Sequence, residues 1–218
     1  AGHAYDLFED GGDGLLPAKI PWARFLRTST EAGRERWIRL GAPASRVRII
    51  RRGLARLPEC AGRPAPRPPY RLLAVGRLVE KMGHDRVLEL LAALDCPFEA
   101  EIVGDGPLRP SLCEQARQLG LSGCVTFSGQ LAFSELEARY AAADALLFGG
   151  GVARSGDRAG FPNAIGEAMA WGVPVCARPV GAVTEGIRHG ETGLLFDNPR
   201  DGAQSLKALL ESPESYAD

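Results

Sequence analysis

The sequence predicts an α/β fold, a doubly wound parallel sheet preceded by a short remnant of another domain. Three observations predict it. From residue 70 onward, short apolar runs alternate with amphipathic stretches of helical period, the pattern of parallel strands covered on both faces. The chemically distinctive loops follow the runs ending at Val75, Val103, Ser128 and Phe148, which is where open parallel sheets bind ligands. With 218 residues and 45% hydrophobic content, the chain can bury a sizeable core.

Residues 1–56 read as the tail of a preceding domain. A helix fits Thr30 to Leu40, with Ser29 as cap and Gly41 as stop, and a strand fits Val47 to Ile50. Residues 57–69 contain Pro58, Pro64, Pro66, Pro68 and Pro69 and read as a semi-rigid linker. Strands are then predicted over Arg71–Val75, Phe98–Val103, Val125–Ser128, Ala145–Phe148, Val173–Ala177 and Gly193–Phe196. Helices are predicted over Asp85–Leu94, Leu108–Leu119, Ser134–Ala142, Asn163–Trp171 and Pro199–Glu211. Ser134 with Glu137 has capping-box spacing. The chain starts at Ala1 without an initiator methionine, which reads as a fragment or a processed product.

Composition narrows the function. A formal net charge of −1 gives no electrostatic case for nucleic acid or an acidic membrane surface. No apolar run reaches the ~18 residues of a membrane span, and no signal sequence opens the chain. The five cysteines, Cys60, Cys96, Cys113, Cys124 and Cys176, show no C-x-x-C spacing and read as reduced thiols of a cytoplasmic protein. His3, His84 and His189 are too scattered to predict a metal site.

The segment Gly160 to Pro174, GFPNAIGEAMAWGVP, carries the most chemistry. Its loop enters a short helix with Asn163 as expected N-cap, and Gly172 follows the C-terminus. Free N–H groups and the positive dipole end at such a start can seat a phosphate. Glu167, about one turn inside, can accept from hydroxyls of the molecule carrying that phosphate, for instance a ribose diol. Taken alone, the segment fits an ordinary loop–helix–strand unit with a solvated glutamate equally well. Arg77 and Lys81, in GRLVEKMG after the first strand of the sheet, can present a guanidinium fork and a point charge to a diphosphate. A surface Arg and Lys flanking a turn is the alternative. Gly104-Asp105-Gly106 begins like a dinucleotide fingerprint, but Arg109 stands where the third glycine belongs.

Taken together, these motifs resemble the donor site of retaining GT-B glycosyltransferases, the large family of bacterial mannosyl- and glucosyltransferases with the form E-G-F-P-x-x-x-x-E-A-M-A-x-G-x-P-V. Glu167, Ala168-Met169-Ala170, Gly172 and Pro174-Val175 match. So do Ala74–Leu78, Ile102–Pro107, Gly181, Glu185 and Gly190–Leu195, covering residues 70 to 210. There are two departures. Ala159 replaces the first glutamate, and Met82 stands where the family's phosphate lysine directly precedes the glycine, with Lys81 one residue earlier.

The resemblance implies a Rossmann-like donor domain over residues 70–218, binding a nucleotide-diphosphate sugar without a cofactor or metal. Arg77 and Lys81 would take the diphosphate charge, and Gly104 would lie close to the nucleotide. Gln130 and Leu131 would meet the base edge, and Gly160, Phe161, Pro162, Asn163 and Glu167 would hold sugar, phosphate and ribose. His3 would correspond to the acceptor-domain histidine beside the reacting sugar. The intact enzyme would glycosylate a glycan or lipid-linked acceptor with retention, with peripheral membrane association possible, while the fragment would be inactive. The alternatives are a nucleotide-binding pseudoenzyme or interaction module, motivated by Ala159 and Met82, and an epimerase or hydrolase, for which no extra carboxylate pair is found.

Overall fold

The computed structural model describes residues 14–51, 53–54, 57–58, 63–157 and 159–212. His3 and Cys60 lie outside the described residues.

The first part is a small unit with its own core. A helical turn α1 (Leu16–Lys19) leads to strand β1 (Leu26–Thr28), helix α2 (Glu31–Arg39) and strand β2 (Val47–Ile49). Strands β1 and β2 pair in parallel, Leu26 opposite Val47. Leu16, Ile20, Trp37, Ala42 and Val47 pack together beneath them. β1 was not anticipated: three residues, one of them an arginine, are too few to show a period. Thr30, not Ser29, caps α2, because Thr30 holds the extended N-cap backbone and its Oγ1 accepts the Gly33 N–H at 3.0 Å. This unit is fastened to the rest through Glu185. One of its carboxylate oxygens accepts the Glu31 N–H at the start of α2 (2.9 Å), and the other accepts from Arg51 (2.7 Å).

The second part is a six-stranded parallel sheet in the order β5-β4-β3-β6-β7-β8. Its strands are β3 (Tyr70–Val75), β4 (Phe98–Val103), β5 (Val125–Gly129), β6 (Ala145–Phe148), β7 (Val175–Ala177) and β8 (Leu194–Leu195). Helices α3 (His84–Ala93), α4 (Arg109–Gln118) and α7 (Pro199–Glu211) cover one face. Helices α5 (Phe133–Ala142) and α6 (Asn163–Ala170) cover the other. Pleating sorts the core: Leu72 and Ala74 of β3 face the first cluster and Leu73 the second. This is the doubly wound sheet the alternation predicts.

Several ends differ from the expected ones. β7 begins at Val175 rather than Val173, because Pro174 has no N–H for the ladder and the Val173 N–H bonds Ala168 O at the end of α6. α5 starts at Phe133 with Ala132 as N-cap. The expected Ser134–Glu137 box is therefore replaced by half a box, in which Glu135 accepts the Ala132 N–H at 2.8 Å; alanine has no oxygen to complete it. Pro162, not Asn163, is the N-cap of α6 and makes no side-chain cap bond.

The sheet order reverses between β3 and β6, so the loops leaving these neighbours diverge over opposite faces and open a crevice. They touch backbone to backbone at Gly83 and Gly149. Gly83 has φ +67°, and a Cβ there would strike the Gly149 carbonyl.

Candidate functional site

Four loops meet above the carboxyl ends of the strands. The β3 loop runs from Gly76 through a tight turn at Glu80–Met82 into α3. Arg77 is exposed on it. Met82 packs back over Gly76, where a Cβ would strike its methyl group, so the residue directly before the glycine faces inward. Lys81 is largely withdrawn from solvent as well. Its Nζ forms an ion pair with Asp157 Oδ2 at 2.5 Å, with side-chain exposures of 15% and 11%. The Gly151 N–H bonds the Lys81 carbonyl, and the Arg154 N–H bonds Glu80. The β6 loop is thus folded down onto the β3 loop. The second oxygen of Asp157 is buried without a partner among the described residues.

The β4 loop explains its glycines by packing. Gly104 has φ +138°, and a Cβ there would collide with the Gly76 carbonyl; its N–H bonds Gly129 O at 2.7 Å. A Cβ on Gly106 would strike the backbone of Leu78. These glycines let two loops cross, and Arg109 donates to Phe127 O at 2.9 Å, so the dinucleotide fingerprint has no structural counterpart. On the β5 loop Gln130 is exposed, while Leu131 packs against the second core cluster.

The β6 loop ends at Gly160, where a Cβ would meet open space. The Phe161 ring packs against Gly186 and the second core cluster, and Pro162 is buried. Loop and helix start are thereby anchored, and α6 begins at the end of the sheet without a side-chain cap, its Ile165 N–H bonded to Pro162 O. Asn163, the first helical residue, is exposed. Glu167 lies one turn on and half-buried, its Oε2 accepting the Tyr140 hydroxyl at 2.8 Å.

Three side chains that sequence spacing did not single out belong to this region. Tyr140 is fully buried; its hydroxyl pKa is pushed up by burial first, then by the hydrogen bond to Glu167 and that residue's charge, so it remains a donor. Arg178, just after β7, donates to Gly150 O at 3.1 Å. His84 is buried under the Gly76–Arg77 turn with neither ring nitrogen in a direct hydrogen bond among the described residues. Burial lowers its pKa, against a smaller opposing pull from the nearby backbone of Gly76 and Arg77. Arg77 and Gly160 carry a family signal; these three sit inside ordinary apolar or connecting stretches and carry none.

Among the described residues no group of three or more His, Cys, Asp or Glu could hold a metal ion, and no helix is long and apolar enough to cross a membrane. A cavity of about 300 Å³ lies elsewhere, lined by Leu73, Glu99, Glu101, Thr126 and Arg139, and contains none of these loops.

The chain and its fold have counterparts among known proteins. Residues 62–218 match the family described as "Glycosyl transferases group 1". The amylovoran biosynthesis glycosyltransferase AmsK of Erwinia amylovora is 33% identical over 203 residues, covering 90% of this chain and 46% of that protein. The putative colanic acid biosynthesis glycosyltransferase WcaL of Salmonella typhimurium is 29% identical over 204 residues, covering 91% and 47%. The chain thus spans about half the length of these curated relatives. The crystal structure of Anabaena HepE in complex with UDP and glucose superposes with a TM-score of 0.75 at 22% identity, over 93% of this chain and 59% of that one, and shares the fold.

Proposed function

We propose that this chain, which belongs to the glycosyl transferases group 1 family, supplies the donor-binding half of a retaining, nucleotide-sugar-dependent glycosyltransferase. The observation that carries the reading is the meeting, at the reversal point of the sheet, of the Arg77–Lys81 loop with the β6 loop that leads into the helix bearing Glu167. Arg77 and Lys81 take the diphosphate charge as the sugar bond breaks, with the N-terminus of α6 behind them. On this reading no metal is required: Arg77 supplies neutralisation directly, and Lys81 does so by exchanging Asp157 for the diphosphate. Glu167 accepts from the ribose hydroxyls, and Gln130 and Leu131 border the base. Retention follows from attack on the face the leaving phosphate departs from, the phosphate oxygen assisting deprotonation of the acceptor. The acceptor is a glycan or lipid-linked sugar, as the polysaccharide biosynthesis named for AmsK and WcaL suggests. Residues 1–56 belong to the acceptor half and 57–69 to the linker, and the protein works in the cytoplasm, with peripheral membrane association of the intact enzyme.

Removing a charge-assisted hydrogen bond costs about 1.5–3 kcal/mol. Glu167→Ala should therefore weaken nucleoside diphosphate binding by about one to two orders of magnitude in calorimetry. Equal affinities for the two proteins would refute the ribose assignment.

One observation favours a second reading, a nucleotide-binding module that has lost transfer. Ala159 offers no carboxylate to a donor sugar, and Asp157, the nearest substitute in the loop, is paired with Lys81. Its Oδ1 has no hydrogen-bond partner among the described residues but is buried, so Asp157 presents no free oxygen to a sugar hydroxyl. If Ala159→Glu tightens nucleotide-sugar binding while leaving the plain diphosphate unchanged, the alanine is a defect and the module reading gains.

A further inference from the structure

We propose that Tyr140 is a positioning residue for the ribose, holding the Glu167 carboxylate in the orientation in which its other oxygen meets the diol; this rests on the donor-site reading above. Tyr140 stands on α5 and Glu167 on α6, two helices on the same face of the sheet. The tyrosine ring is fully buried, and its hydroxyl donates to Glu167 Oε2 at 2.8 Å. Among the described residues Tyr140 is the only side chain bonded to that carboxylate, and Oε1 has no partner. One oxygen is thus engaged from inside the protein and one is left for a ligand.

The arrangement suits orientation better than packing. A phenylalanine would fill the core equally well, so the hydroxyl is explained by the acceptor it reaches. Because burial and the neighbouring carboxylate both oppose ionisation of the phenol, the bond keeps one polarity, with tyrosine as donor. A glutamate left to itself samples many rotamers, and fixing it before the ligand arrives removes that ordering from the binding step.

The two helices are themselves tied together by a residue of the preceding connection. The Arg63 guanidinium donates to Tyr140 O at 3.4 Å and Trp171 O at 3.1 Å, and also to Ala143 O. A single cation therefore satisfies carbonyls at the carboxyl ends of both α5 and α6, where helix dipoles favour positive charge. The tyrosine and the glutamate are held by a frame closed at that end.

The test measures binding of UDP, GDP and their 2′,3′-dideoxy counterparts to the full chain, as wild type, Tyr140→Phe, Glu167→Ala and the double variant. The wild type should prefer the ribonucleotide. Tyr140→Phe should weaken ribonucleotide binding about tenfold, the size of a hydrogen bond to a charged group, and leave the dideoxy affinity unchanged. The double variant should bind no worse than Glu167→Ala alone. Equal weakening of both ligands by Tyr140→Phe would assign the tyrosine a purely structural role and overturn the proposal. An unchanged ribo-to-dideoxy ratio in Tyr140→Phe, with the ratio lost in Glu167→Ala, would overturn it too while the ribose role of Glu167 stood. If Glu167→Ala itself left the ratio untouched, the ribose assignment and this proposal would fall together.

Discussion

Replacing Lys81 by methionine would strand the Asp157 carboxylate. The pair is close, 2.5 Å, and the two side chains are only 15% and 11% exposed. Among the described residues Asp157 Oδ1 already lies buried without a partner, so the ammonium supplies most of the compensation for burying that charge. Breaking a buried pair by removing one member costs 3–5 kcal/mol in typical cases; with a little solvent access here, about 3 kcal/mol is expected. For a chain of this size, each kcal/mol moves the melting temperature by roughly 2–4 °C. Lys81→Met should thus melt about 6–12 °C below wild type by calorimetry at pH 7, without nucleotide. Replacing both members, Lys81→Met with Asp157→Leu, removes the charge along with its partner and should recover most of the loss. The pair also competes with the bound diphosphate for Lys81, so Asp157→Asn should tighten nucleoside diphosphate binding, by up to about tenfold. If Lys81→Met melts within about 2 °C of wild type, the ion pair does not hold the β6 loop onto the β3 loop as argued.

Two further outcomes are expected. Thr30→Ala should lower stability by about 1 kcal/mol in urea unfolding, while Ser29→Ala should be near neutral, since Thr30 supplies the capping oxygen; the reverse order would restore Ser29 as the cap. His84 is held below its ordinary pKa by burial, so the unfolded chain binds the proton more readily than the folded one. Its contribution is therefore complete above the unfolded value of about 6.5 and is lost as pH falls through that value towards the folded pKa. The stability difference between wild type and His84→Gln, followed by thermal melts from pH 7.5 to 5.5, should shrink on acidification; a difference independent of pH would show that the histidine is not buried neutral.

The elements legible in the sequence were those whose limits are set locally. Phe98–Val103, Ala145–Phe148 and Pro199–Glu211 are found with the ends read from the apolar runs and from the Asn198–Pro199 start, where the Asn198 side chain accepts the Arg200 N–H. Some ends moved for local reasons, as at the start of α5, where Glu135 takes the Ala132 N–H, and others because a following turn intervened, as at Val173, whose N–H is taken by the end of α6. Of the site, the motif loops at Arg77, Gly104 and Glu167 were legible because glycine, proline and charge in a tight loop after a strand constrain the backbone within a few residues.

By itself, then, the sequence determined the alternation of strands and helices, the placing of the loops after β3, β4, β5 and β6 at one end of the sheet, and the family those motifs belong to. Only the tertiary structure decided how the side chains are used. Lys81 is paired with Asp157, 76 residues away, and Glu167 with Tyr140, 27 residues away. Arg63 reaches across 108 residues to Trp171. Spacing along a chain encodes contacts only within a helical turn or across a short hairpin. These partners meet because parallel crossovers carry distant segments to adjacent positions on a sheet, and that juxtaposition exists only once the sheet has formed.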